Sequence, residues 1–415
     1  MPARVALLAS PTTYRGDAFL EAARKLGLDV LRVVDTPAAL GTREHGNWLD
    51  LDFAAQGEAV AALRRVHERE PLAAVVALDD SATMLAAQIA AALNLPHNDP
   101  NAALAARNKW VMRKALERGG VPVPTYRQVA LDDDPLPAAL EIGFPVVVKP
   151  ITLSGSRGVI RASDAGELRA AFARAREIAL SAGPARGEDI LLLERYLPGV
   201  EVALEGLLTA GALQTLAIFD KPDPLEGPFF EETIYVTPSR LALEVQDAIS
   251  SRTAEAAAAL GLREGPVHAE LRINDEGVWL IEMAGRSIGG LCSTVLEFGA
   301  GISLEEIILR HAVGQAMPSS TGMDHAAGVM MIPIPKGGIL RSVSGTDAAA
   351  AVPGVTGVEI TAPLHQPLVP LPEGASYLGF IFARGTTTDE VESSLRTAHA
   401  ALQFKIDPAI PLRVA

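Results

Sequence analysis

A single cysteine, Cys292, stands in a chain of 415 residues, so no disulfide can form within it and a reducing compartment fits. Basic residues are outnumbered: 36 Lys and Arg against 50 Asp and Glu give a formal net charge of −14. That balance argues against a phosphate-backbone partner, so nucleic acid is not expected. Aromatics make up only 5% and include three tryptophans, which leaves no stacking platform for single strands. No apolar run approaches the length of a membrane span. "MPARVALLAS" enters a strand with no basic leader and apolar core before it, so we expect no signal peptide, no membrane partner and a cytoplasmic location. Several motifs are missing too: HExxH, CxxC, GxSxG, and a GxGxxG after the first strand. The eight histidines are scattered without ligand spacing.

What is present reads as a globular α/β protein. Apolar residues make up 49%, and the length suggests two or three domains. "RVALLAS" (4–10), an amphipathic stretch to Lys25 and "DVLRVVD" (29–35) read as strand, helix, strand. "AAVVALDD" (73–80) precedes an Ala-rich helical pattern over 81–93, which implies an open parallel sheet. Asp79 and Asp80 end that strand; such acids more often cap the next helix than face a ligand. A helix over 101–118 carries Lys109, Arg113 and Lys114 and stops at Gly119-Gly120. A domain boundary falls just before it.

"FPVVVKPITLSGSRGV" (144–159) closes an apolar strand with Lys149 and then runs into a Gly/Ser loop. A P-loop has the opposite order, glycines first and then Lys-Ser/Thr opening a helix. The expected structure is a hairpin-like turn with a cation at its base, able to cradle phosphate by other means. Asp164 and Glu167 have capping-box spacing ahead of a helix to 180. Strands over 189–220 break at "PG" and "TAGA", a Pro-rich polar loop covers 220–239, and a helix follows over 241–260. Ser303 and Glu306 open another helix. From about 316 the composition shifts to a small α+β unit whose helix opens at Thr387 and Glu390.

The segment 266–284 reads as a hairpin turning at "DEG" (275–277), so opposite residues have numbers summing to 552. Leu271 and Ile273 then face Ile281 and Trp279 on an apolar surface. His268, Glu270 and Arg272 face Ala284, Glu282 and Leu280 on the other. Glu270 therefore lies opposite Glu282. Two carboxylates so placed share a proton or hold a cation, and hard oxygen ligands favour Mg²⁺. The alternative is a shifted register, or neutralisation by Arg272 and Arg286.

Lys109, Lys149 with its "SGSRG" loop, "ERYLPGVE", Glu270 and "IEMAGR" occur in an order that resembles the ATP-grasp superfamily. The resemblance covers roughly 1–315 and implies an N-terminal open parallel α/β domain (1–100) and an ATP-grasp domain (101–315, with a lid lobe about 121–195), to which the composition shift adds a small C-terminal α+β domain (316–415). It implies that Lys109 and Lys149 contact ATP phosphates under a lid formed by Ser154, Gly155, Ser156, Arg157 and Gly158. Glu194 and the backbone at Tyr196 and Leu197 match the adenine hinge, Glu201 the ribose acid, and Glu270 and Glu282 the Mg²⁺ ligands, with Mn²⁺ as a substitute ion. Arg286 matches the arginine that steadies the transferred phosphate. The family commonly reads Glu-x-Asn-x-Arg, whereas this chain has Ala284 between Glu282 and Arg286, which puts the second Mg²⁺ position in doubt.

"EMAGRSIGG" and "FFEETIYVTPS" resemble the L-amino acid ligase branch. The implied reaction joins a carboxylate to an amine, both from amino acids in that branch, through an acyl phosphate, with ADP and phosphate released. Backbone at Ser287, Gly289 and Gly290, and either Glu231 or Glu232, are the substrate candidates; a homodimer would match relatives. Two other readings stay open: a carboxylase-like or formyl-phosphate-type enzyme, and a silent ATP-binding module.

Overall fold

Strand Arg4–Ala9 is buried along its whole length because it has parallel neighbours on both sides and helices on both faces. It pairs with Asp29–Asp35 and Leu72–Ala77, and Asp29–Asp35 pairs in turn with Trp48–Leu51. Helices Gly16–Lys25, Gln56–Arg69 and Asp80–Ala92 cover this sheet. A short hairpin, Arg43–His45 with Trp48–Leu51, closes its edge. The pattern gave no sign of that hairpin: its first strand is three residues long and fully exposed, with no apolar alternation to read. The computed structural model describes residues 2–37, 39, 43–182, 189–299, 301–317 and 323–408.

The single helix expected over 101–118 is two helices, Pro100–Arg107 and Lys109–Arg118. Asn108 breaks them at φ −103° and ψ 111°, and its side chain accepts from the Val111 N–H as the cap of the second helix. Asn competes with the helix in this way because its carbonyl reaches nearby backbone donors. The break puts Lys109 in the first turn of a new helix.

Next comes a four-stranded antiparallel sheet in the order Tyr126–Ala130, Ile190–Arg195, Val146–Pro150, Ile160–Ala162, backed by helix Ala165–Ser181. Val146–Pro150 and Ile160–Ala162 flank the Gly/Ser loop as an antiparallel pair, the hairpin expected there. Asp164 caps the helix by accepting from the Gly166 and Glu167 N–H groups.

The largest sheet has eight strands, in the order Gly277–Ala284, Gly265–Asn274, Val200–Thr209, Ala212–Asp220, Ile234–Thr237, Ala326–Ile332, Gly379–Gly385, Val355–Ile360. It runs without a break through the boundary expected at 316, since Ile234–Thr237 pairs antiparallel with Ala326–Ile332. Strands from both sides of that expected boundary thus share one continuous sheet. The core follows suit: Val5, Leu7 and Phe19 pack in the same cluster as Phe219, Ile307 and Phe380. Among the described residues no helix is long and apolar enough to cross a membrane.

Candidate active site

A cavity of about 530 Å³ opens where the loops after Arg4–Ala9 and Leu72–Ala77 meet the lid hairpin and the eight-stranded sheet. Glu270 and Glu282 lie directly opposite each other on its wall, in the register read from the sequence. Beyond that pair the register slips. Leu271 faces Leu280, Arg272 faces Trp279 and Ile273 faces Val278, so the expected outer pairs Leu271–Ile281 and Ile273–Trp279 do not form. The extra residue is Ile281, a β-bulge that bends the strand beside the acids. Its carbonyl accepts from Arg113 Nη2 at 2.7 Å. A bulge leaves no trace in alternation, so the expected register ran straight through it.

The neutralising arginines expected for this pair are committed elsewhere. Arg272 donates to Glu201 at 2.7 Å and to the Leu197 carbonyl at 2.6 Å. Glu282 is met instead by Lys109 at 3.3 Å, and Glu270 by Lys221 and His268, each at 3.5 Å. His268 is anchored in turn on Glu205, which also accepts from the Ile288 N–H at 3.0 Å.

Lys221, which sequence reasoning passed over, is the hub of this wall. Its ammonium bonds Glu201 at 2.8 Å and Glu232, and lies 5.0 Å from the Tyr235 ring centroid. Carboxylate oxygens of Glu201, Glu232 and Glu270 come within 4.8 Å of one another, but the ammonium stands among them. Burial alone would lower the Lys221 pKa; the three acids override it and raise it well above the ordinary range. A lysine followed by proline at the end of an apolar strand was the available signal: Lys221 stands just past Asp220, and Lys149 is the penultimate residue of Val146–Pro150.

On the opposite wall Lys149 donates to Glu194 at 2.5 Å, and Arg113 donates to the same carboxylate at 2.5 and 3.3 Å. Burial pushes the Glu194 pKa up, but Arg113 and Lys149 outweigh it and bring it down to about 2. Glu194 thus anchors two cations. Lys109 reaches from its helix start to the Leu153 carbonyl at 2.7 Å and so links the lid to Glu282. At the expected adenine hinge the Tyr196 N–H is already used by the Pro145 carbonyl at 3.0 Å. The Tyr196 ring lies between Arg161, 4.4 Å away, and Arg272, 5.3 Å away.

Arg286 makes a two-pronged pair with Asp80, Nε to Oδ1 at 2.8 Å and Nη2 to Oδ2 at 2.7 Å. Asp79 and Asp80 therefore do not cap their helix with their side chains: Asp79 accepts from the Ser10 N–H and the Thr13 hydroxyl instead.

Of the residues singled out from the sequence, the cavity brings together Lys109, Lys149, Ser154, Gly155, Ser156, Glu194, Tyr196, Leu197, Glu201, Glu232, Glu270, Glu282, Arg286, Gly289 and Gly290. Arg157, Gly158, Glu231 and Ser287 are not on its lining. Arg157 turns outward to the Glu373 carbonyl and Ser181, and the Gly158 N–H bonds the Pro372 carbonyl. At Gly158 (φ +74°) an added Cβ would meet Pro150 at 2.6 Å, so this glycine serves a tight turn. Glu231 accepts from the Ile334 backbone N–H, while its neighbour Glu232 lines the cavity. Ser287 is buried and bonds Arg15. Ala284 lines the cavity with only a methyl group.

Glu270 and Glu282 fit a hard divalent ion: two directly paired carboxylates, both partly open to the cavity. The Glu201–Glu232–Glu270 group already holds an ammonium.

Three family models match in chain order: the ATP-grasp N-terminal domain over 20–97, the ATP-grasp domain over 142–295, and the L-amino acid ligase C-terminal domain 2 over 330–407. A curated relative, the uncharacterized protein y4rH of Sinorhizobium fredii, is 25% identical over 405 residues, 97% of this chain and 83% of the relative. The D-alanine–D-alanine ligase of Aromatoleum aromaticum is 32% identical over 182 residues, 43% of this chain, and the match spans only 55% of that ligase. Among solved structures, the L-amino acid ligase from Bacillus licheniformis superposes with a TM-score of 0.80 at 25% identity, over 98% of this chain and 99% of that one.

Proposed function

This chain belongs to the ATP-grasp superfamily and is built like its L-amino acid ligases, and from that premise we propose that it joins a carboxylate to an amine, both from amino acids, at the expense of ATP. The observation that carries the proposal is one cavity with Lys109 and Lys149 on one side, the Glu270–Glu282 pair on the other and Arg286 at a third edge. In the proposed sequence a carboxylate oxygen attacks the terminal phosphorus of ATP and ADP leaves. The amine nitrogen then attacks the acyl carbon, phosphate departs, and the nitrogen sheds a proton.

Phosphoryl transfer asks the protein for positioning and charge rather than covalent help. Lys149, backed by Glu194, and Lys109, bridging lid and sheet, bring positive charge to the polyphosphate. Glu270 and Glu282 would hold Mg²⁺, which when bound neutralises phosphate oxygens. Arg286 holds the group in transit. The Ser154–Ser156 turn shields the acyl phosphate from water. Glu232, facing the cavity beside Lys221, takes the substrate ammonium.

The test is phosphate release from ATP and Mg²⁺ with amino acids offered singly and in pairs, and Glu282→Gln as control. Pair-dependent release with ADP as product, lost in the control, supports the proposal. AMP and pyrophosphate as products would overturn the acyl-phosphate route.

A further inference from the structure

Asp80 opens helix Asp80–Ala92 beside the N-terminal sheet, yet its carboxylate ends on the arginine of another part of the chain, 206 residues away in sequence. The contact is built from both sides. Asp79, next to it, is locked by the Ser10 N–H at 2.8 Å and the Thr13 hydroxyl at 2.9 Å. Arg15, 4% exposed, donates to the Leu78 carbonyl at 2.9 Å and reaches Ser287 at both its carbonyl and its hydroxyl. One buried guanidinium thus ties the turn before Asp80 to the residue after Arg286.

The pair differs from an ordinary interdomain salt bridge in what it leaves over. A guanidinium has five N–H groups. Asp80 takes two and the Ser287 carbonyl a third at 2.8 Å, which leaves one on Nη1 and one on Nη2 of a side chain lining the cavity. A planar fork held along one edge presents its free donors in a fixed direction.

We propose that Asp80 is a positioning residue for phosphoryl transfer: it holds Arg286 so that the two remaining N–H groups meet the phosphoryl group in transit, which makes the N-terminal domain part of the catalytic apparatus. This rests on the phosphoryl-transfer reading above. Asp80 acts through Arg286, so its removal weakens binding of the transferring group while leaving the grip on ADP in place.

The test is the dissociation constant of the full-length protein for ADP with Mg²⁺, and for ADP with Mg²⁺ and aluminium fluoride, a mimic of the phosphoryl group in flight. Wild type binds the second combination more tightly, Arg286→Met loses that gain, and Asp80→Asn loses about tenfold to a hundredfold of it, the scale of a misplaced catalytic group. ADP affinity alone holds in Asp80→Asn, and the double variant loses no more than Arg286→Met does. In turnover, kcat falls while KM for ATP stays. If Asp80→Asn keeps the full gain, or if its loss adds to that of Arg286→Met, the positioning role is wrong. If wild type itself gains nothing from aluminium fluoride, the phosphoryl-transfer reading falls first and takes this inference with it. Should Asp80→Asn not fold, Asp80→Glu carries the same test, because it keeps the charge but displaces the fork.

Discussion

The two long walls of the cavity are charged in opposite senses and reach that state by different means. On the lid side Lys149 and Arg113 share one carboxylate, Glu194, while Lys109 reaches the Leu153 carbonyl and Glu282, and the excess is positive. On the sheet side Glu201, Glu205, Glu232, Glu270 and Glu282 face Lys221, Arg272 and His268, and the excess is negative. A polyphosphate suits the first wall, and a divalent ion with an ammonium suits the second. Each wall also buries one counter-charge: Glu194 stands behind the cations and Lys221 behind the acids. The lesson is that one buried counter-charge on each wall holds in place the groups of opposite sign that the wall offers.

The strongest way to break this comparison is to remove the buried hub on the acidic side. Lys221→Met leaves Glu201, Glu232 and Glu270 within reach of one another without their shared cation. Breaking a buried ion pair on one side is costly, so we expect about 3–5 kcal/mol of lost stability, read from urea unfolding. An unchanged midpoint would mean that the three acids do not need Lys221.

The counterpart on the cationic wall is Glu194. Its pKa sits near 2 against an ordinary 4.5, so the stability it contributes is present above pH 4.5 and is lost as pH falls toward 2. Glu194→Gln is expected to cost about 3 kcal/mol at neutral pH and to flatten the acid limb of the stability profile in that window. A parallel acid limb in the variant would assign the effect to other carboxylates.

How far the sequence alone reached follows the same division. Strand Asp29–Asp35 and the Glu270–Glu282 register were legible because alternation and turn position are local signals. Lys149 was legible as a strand-ending cation before glycines. What escaped was set by partners distant in the chain. Lys221 carries the same local mark as Lys149, but its importance comes from acids on three other segments. Asp80 read as a helix cap because no local pattern announces an arginine 206 residues on. Arg157 and Gly158 read as a phosphate-covering lid, and their outward turn depends on carbonyls at Pro372 and Glu373 that belong to the far end of the chain.

Lys149 sharpens the comparison by separating binding from stability. Lys149→Ala removes charge from the lining while Arg113 keeps Glu194 paired. The expected result is a loss of about a hundredfold in phosphate release, the scale for deleting one preorganised donor, with a smaller change in unfolding than Glu194→Gln gives. Equal losses of stability in the two variants would make Lys149 a structural cation.

The smallest effect belongs to Glu373, in the backbone strap at 372–373 that meets the loop at Arg157 and Gly158. Glu373 pairs with Arg174 at 2.5 and 2.9 Å, but both side chains are well exposed, 42% and 45%. The bonds that hold the lid loop come from backbone instead: the Pro372 carbonyl takes the Gly158 N–H at 2.9 Å and the Glu373 carbonyl takes Arg157 at 2.8 Å. Glu373→Gln keeps both carbonyls, so it should change stability by less than about 1 kcal/mol, as exposed pairs do. Salt screens such pairs, so wild type and variant should converge at high ionic strength. A larger loss that persists in high salt would show that the Glu373 side chain, and not the strap's backbone, fastens the lid.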